Sequence, residues 1–131
     1  MIVLDTSAAV ELLLALPRSR KVIDRLDLLG WHIAAPQLLT IEMLQVLRRR
    51  VAAGTTSVDA AEQALDALED SNIHFFDHAL LARRIWQLRG NLTAYDASFV
   101  ALAEALNCEL ITADARLANA PGHTADVFVI A

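Results

Sequence analysis

A single cysteine, Cys108, stands among 131 residues. One thiol excludes an internal disulfide and a thiolate zinc cluster, and it favours a reducing, cytoplasmic setting. Glycine and proline are also scarce, at 4 and 3 residues, which excludes collagen-like and low-complexity architectures. An apolar content of 56% excludes intrinsic disorder. Long hydrophobic runs are missing as well. The longest stretch without a formal charge, Leu28 to Ile41, is interrupted by Gly30, His32, Pro36 and Gln37, so no membrane span is expected. The opening Met1-Ile2-Val3-Leu4 carries no base and meets Asp5 at once, unlike a secretory leader. Positive charge is in deficit, with a net charge of −5, which argues against holding nucleic acid by bulk charge. Of the 11 bases, all but Lys21 are arginine. Arginine forks suit phosphate, but GC-rich coding explains both the arginines and the many alanines more simply.

What is present is an alternation of short apolar runs with longer helical patterns. The length fits one domain, residues 1–131. Strands are predicted at Ile2-Val3-Leu4, Ile33-Ala34-Ala35, Ile73-His74-Phe75-Phe76, Leu110-Ile111-Thr112 and Val127-Phe128-Val129-Ile130. Helical spacing covers 6–15, 18–29, 37–52, 56–70, 78–89, 94–107 and 114–119. Strands separated by helices need crossover connections, hence a parallel sheet covered on both faces. Runs that are apolar throughout, rather than alternating, agree with strands buried on both sides. In such sheets ligands bind beyond the carboxyl ends of the strands. The first strand runs into Asp5-Thr6-Ser7 and the fourth into Thr112-Ala113-Asp114, so each delivers a carboxylate to that end.

Two further acids occupy helix positions where acids are usually avoided. Glu42 follows Leu38 by one turn and precedes Val46 by one turn. Asp96 precedes Phe99 and Val100 on a face continuing to Ala103 and Leu106. Residues three and four apart share a helix face, so both carboxylates point to the packed side or its border. No base recurs beside Glu42 or Asp96, and four acids gathered without counter-charge would repel one another. A divalent cation resolves that conflict, and Mg²⁺ or Mn²⁺ suits carboxylate oxygens. Structural roles compete with this reading. Asp5 and Asp114 each precede a helix and fit N-caps. Thr93-Ala94-Tyr95-Asp96 fits a capping box, with Asp where Glu or Gln is usual. Glu42 fits no cap. Singly each acid reads as structural; together they read as a site.

The segments Ile2-Val3-Leu4-Asp5-Thr6-Ser7-Ala8, Pro36 to Glu42 with Val46-Leu47-Arg48-Arg49, Thr93-Ala94-Tyr95-Asp96-Ala97-Ser98, and Leu110 to Leu117 follow in order over almost the whole chain. In this order the chain resembles the PIN-domain nucleases, and within them the VapC-like toxins of toxin–antitoxin pairs. The resemblance implies a three-layer α/β/α PIN-like domain with a parallel, roughly five-stranded sheet. It implies that Asp5, Glu42, Asp96 and Asp114 form the family's acidic quartet, with Thr6, Ser7 and Thr112 at its supporting hydroxyl positions. Asp5, Asp96 and Asp114 would hold the metal, and Glu42 would ligate through water or orient the attacking one. Some relatives carry a further acid just after the fourth. Here Ala115, Arg116 and Leu117 follow, which leaves one or two ions open. The implied function is a metal-dependent endoribonuclease, the toxin of a toxin–antitoxin pair, with RNA as substrate, a VapB-like antitoxin as partner and a homodimer as assembly.

Candidate RNA grips are Arg48-Arg49-Arg50 and Arg83-Arg84 with Trp86 and Arg89, since an aromatic among arginines suits an unpaired base. Both clusters also end predicted helices, where cations complement the dipole. His74 and Cys108 read as strand or core residues. A phosphoacceptor receiver domain would need an acidic pair after the first strand and a Lys after the fifth. A haloacid-dehalogenase-type phosphatase would need Asp-x-Asp after the first strand, and a dinucleotide-binding domain a glycine-rich turn. None of these is present. The remaining rival is a non-catalytic PIN-like module that binds RNA or protein. Leu12, Leu13, Leu14 and Leu16, with the apolar girth of residues 37–52, exceed what one sheet face can cover, which points to partner surfaces.

Overall fold

Residues Ile2–Leu4 form strand β1, and all three are buried. A strand apolar on both faces is stable only with layers on both sides, and the chain provides them. In the computed structural model, which describes all 131 residues, α1 (Thr6–Leu13), α2 (Ser19–Leu29), β2 (Ile33–Pro36), α3 (Leu38–Ala52) and α4 (Val58–Asp70) follow β1. Then come β3 (His74–Phe76), a 3₁₀ turn (His78–Leu80), α5 (Ala82–Gln87), α6 (Ala94–Leu106), β4 (Glu109–Thr112), α7 (Ala115–Asn119) and β5 (Asp126–Val129). The sheet order is β3-β2-β1-β4-β5, and every pairing is parallel. The expected parallel five-stranded sheet with helices on both faces is what the chain forms.

Pleating sorts the strand residues between two cores. Ile2, Leu4, Ile33 and Ile111 pack with Val22 and Leu26 of α2 on one face. Val3, Ala34 and Leu110 pack on the other with Leu39 and Met43 of α3 and with Phe99, Val100 and Leu102 of α6. Helix α6 is buried without interruption from Ala97 to Ala103, which explains its lack of a polar face.

Helix ends follow local chemistry. Gly54, at φ +75°, closes α3 in a Schellman arrangement: its N–H donates to Val51 O and the Thr55 N–H to Arg50 O. Asn107 adopts the left-handed conformation after α6. Two expectations are corrected. The helix expected over 78–89 is split, because the Asp77 side chain caps Ala79 N–H and tightens the chain into a 3₁₀ turn before α5 begins. The third strand, read as buried, is an edge strand with His74 and Phe75 exposed.

Helix α6 is fastened by Glu104, which accepts from Arg84 Nε at 2.8 Å and Nη2 at 2.9 Å, and from Thr124 N at 2.9 Å. These bonds hold α5 and the approach to β5 onto α6. They also lower the Glu104 carboxyl from an ordinary 4.5 to about 2, with the Arg84 bonds the largest cause. A carboxylate whose pKa is depressed by folding stabilises fully above its unfolded pKa and loses that contribution as pH falls through the folded value. Glu104→Gln is therefore expected to cost about 1–2 kcal/mol at neutral pH after solvent screening. Thermal unfolding of the two proteins should converge between pH 4.5 and about 2.

Candidate active site

Asp5 is the first residue beyond β1 and is 6% exposed. Burial alone would push its carboxyl strongly upward, and it does raise it. Three donors oppose that shift. Ser7 Oγ donates to Asp5 Oδ1 at 2.6 Å and Ala8 N at 3.0 Å, the second being the N-cap bond of α1. Thr112 Oγ1 donates to Oδ2. Each carboxylate oxygen accepts about two hydrogen bonds, so Oδ1 is saturated and Oδ2 keeps one free position.

The two hydroxyls also face the other way. Ser7 Oγ accepts from Ala113 N at 2.8 Å, and Thr112 Oγ1 accepts from Asp114 N at 2.9 Å. The turn that leads from β4 to Asp114 is thus strapped to the turn that carries Asp5. Asp114 caps α7 through Arg116 N at 2.9 Å.

Glu42 lies one turn into α3, half-buried, and Thr6 Oγ1 donates to its Oε1 at 2.6 Å. Asp96 sits third in α6. Thr93 Oγ1 accepts from Asp96 N at 3.1 Å, but no bond returns from the Asp96 carboxylate to Thr93 N–H. The capping box is half-made, and the carboxylate is left over from it. Burial raises both Glu42 and Asp96. Repulsion adds to the shift: Asp96 and Asp5 act on Glu42, and Asp114 acts on Asp96. The fold therefore brings Asp5, Glu42, Asp96 and Asp114 into one electrostatic neighbourhood at the carboxyl end of β1 and β4. Thr6, Ser7 and Thr112 all bond to that group.

One expectation fails. The acids were read as lacking a counter-charge, yet Asp114 is clasped by Arg116: Nη2 donates to Oδ2 at 2.6 Å and Nε to Oδ1 at 3.0 Å. This holds the Asp114 carboxyl below the usual range, and the same guanidinium pulls on Asp96. As the side chains stand, no three acids converge closely enough to share one ion. The i, i+2 spacing of Asp114 and Arg116 was visible in sequence, but it reads there only as a substituted acid.

The proposed RNA grips divide. Arg84 is committed to Glu104 and to Gly122 O, and Arg50 to Thr56. Arg83 and Arg89 stay exposed, with Arg89 4.3 Å above the Trp86 ring. Tyr95, missed in the sequence, is 62% exposed beside Asp96. Two apolar grooves lie elsewhere. One of about 500 Å³ runs along Leu12, Leu13, Trp31, Ile33 and Ile73. Another of about 380 Å³ lies between α3 and α4, along Leu44, Leu47, Val51, Val58 and Leu65. No helix is long and apolar enough to cross a membrane.

The family model described as PIN domain matches residues 2–122. Ribonuclease VapC9 of Mycobacterium tuberculosis is 40% identical over 119 residues, 91% of this chain and 90% of that protein. Ribonuclease VapC1 of the same organism is 40% identical over 130 residues, 98% of this chain and 96% of that one. Ribonuclease VapC12 is 35% identical over the full length of both. Among solved structures, DNA-bound VapBC from Salmonella typhimurium superposes with a TM-score of 0.71 at 17% identity, covering 99% of this chain and 98% of that one.

Asp96→Asn removes one charge from the group without removing a bond that the carboxylate itself makes to the backbone. A carboxyl whose pKa is raised by folding costs stability that builds up as pH rises from its unfolded value to its folded value and persists at every higher pH. Metal-free Asp96→Asn should therefore melt above the parent protein at pH 7. The gap should close as pH falls below the ordinary Asp value of 3.8, where the position is protonated in the folded and the unfolded chain alike. A variant that melts lower at pH 7 would show that Asp96 is stabilising, against this account.

Proposed function

The chain belongs to the PIN-domain family, among the VapC ribonucleases, and from that premise we propose that it hydrolyses RNA internally as the metal-dependent toxin of a toxin–antitoxin pair. The observation that carries the reading is the joint placement of Asp5, Glu42, Asp96 and Asp114, three of them raised by burial and by one another. Their donor set is carboxylate oxygen only, which fits Mg²⁺ or Mn²⁺. Asp5, Asp96 and Asp114 are the ligands in this reading, and Glu42 joins through water, with the side chains drawing together on the ion from positions in which no three yet converge. Bound there, the ion supplies an activated water and neutralises charge on the phosphate oxygens.

The protein's own contribution is orientation. Ser7 and Thr112 fix both oxygens of Asp5 and leave one acceptor position on Oδ2. Thr6 pins one Glu42 oxygen and leaves the other without a hydrogen bond inside the protein. No side-chain nucleophile is needed, because water is the attacking group.

The test is cleavage of a single-stranded RNA by purified protein, with and without chelator. Asp5→Asn and Asp96→Asn should each lower the rate by more than the about 10–100-fold that loss of an outer-sphere partner costs. The Tm of the parent should rise with Mn²⁺, and that rise should shrink in both variants. Unchanged cleavage by both would sink the assignment and favour the non-catalytic PIN-like module.

The two apolar grooves support the partner reading, a homodimer together with a VapB-like antitoxin segment in the cytoplasm. Light scattering should return twice the chain mass at micromolar concentration, and a co-expressed neighbouring antitoxin should bind and silence cleavage. A monomer, or a partner that binds without inhibiting, counts against it.

A further inference from the structure

The clasp on Asp114 is unusual for a surface ion pair. Arg116 is two residues from its partner, donates through its backbone N–H, Nε and Nη2, and leaves Nη1 without a bond inside the protein. Its side chain is 85% exposed, so water rather than packing surrounds the guanidinium. The same group also acts on Asp96. A planar fork on a flexible stem is therefore parked on one acid of the group, and its charge is felt by a second.

Resting on the metal-centre reading above, we propose that Arg116 is an exchanging cation: it occupies Asp114 until a divalent ion takes that carboxylate, and its freed fork then binds a phosphate of the RNA. Carboxylate and phosphate offer the same paired oxygens to a guanidinium, so the exchange trades one fork partner for another. The competition is direct, because Nε and Nη2 use both Asp114 oxygens. Arg116 is a positioning residue toward the metal and a contact residue toward the substrate.

The two roles carry opposite signs, which a merely structural role does not produce. Free Mn²⁺ measured by electron paramagnetic resonance during titration of the full-length protein gives the affinity without any activity. Arg116→Ala should bind Mn²⁺ about two- to fivefold more tightly, the size expected for release of an exposed pair. Steady-state cleavage of a fluorescent single-stranded RNA at saturating Mn²⁺ should show KM raised several-fold, with kcat changed less. Arg116→Lys keeps the charge and loses the fork. Direct competition predicts that it too binds Mn²⁺ more tightly than the parent, whereas a simple field effect predicts parental affinity. Unchanged or weaker Mn²⁺ binding in Arg116→Ala, parental affinity in Arg116→Lys, or an unchanged KM in Arg116→Ala overturns the exchange while the metal centre stands. Absence of Mn²⁺ binding in the parent and in all variants removes the metal centre, and the exchange with it.

Discussion

Strands β1 and β4 run parallel with Leu4 opposite Ile111, so Asp5 and Thr112 leave the sheet side by side. Every other feature of the acidic end depends on that register. A slip of one residue would turn Thr112 to the opposite face and would take its hydroxyl away from Asp5 and from Asp114 N–H together. The register is set by Leu4 and Ile111 on one face and by Val3 and Leu110 on the other, all fully buried. The apolar core thereby controls the position of polar groups it never touches. Two hydroxyls then complete what the ladder begins, because Ser7 and Thr112 each accept an N–H from the second turn and donate to the acid of the first.

Capping and site roles are not alternatives at Asp5 and Asp114. Each accepts a backbone N–H at the start of a helix, and each carboxylate has acceptor positions beyond that one. A strand that ends at the edge of a parallel sheet must turn into a helix, and an Asp at that turn is the ordinary cap. Two adjacent strands thus bring two carboxylates together as a by-product of starting two helices. Asp96 and Glu42 need a different explanation. Asp96 donates its N–H to the cap and keeps its carboxylate free. Glu42 serves no helix end and is held only by Thr6.

Much of this was legible in the chain. Runs such as Ile2-Val3-Leu4 and Leu110-Ile111 are apolar at every position, which only a sheet covered on both faces explains, and each is followed directly by an acid or by a Thr that leads to one. The four acids could be read because each stands beside apolar residues at a fixed helical or strand spacing. What escaped the reading depends on side-chain direction. The clasp of Arg116 on Asp114 and the tie of Arg84 to Glu104 look, as sequence, like a substituted ligand and a possible RNA grip. Periodicity also could not anticipate the break before α5, since residues 78–89 keep a helical pattern across it. The Asp77 cap, a purely local bond, decides the pitch there.

A chain of net charge −5 with a group of acids at its candidate site faces a polyanion in the proposed reaction, and the bulk field works against the encounter. At physiological ionic strength that field fades over about 8 Å, so what matters is the charge within that distance of the scissile phosphate. Several arginines are held elsewhere. Arg84 and Arg25 are spent on Glu104 and Glu109, and Arg18 on Glu11. Arg116 differs from these three, because its partner is itself a member of the acidic group and its side chain stays in water. Neutralising one negative charge of the group, by ion binding at Asp114, would release one positive charge beside it. The local field would change by both amounts at once. A site built from acids would then become attractive to phosphate only when loaded, which is a way for a net-acidic protein to bind RNA where cleavage is possible and to repel it elsewhere.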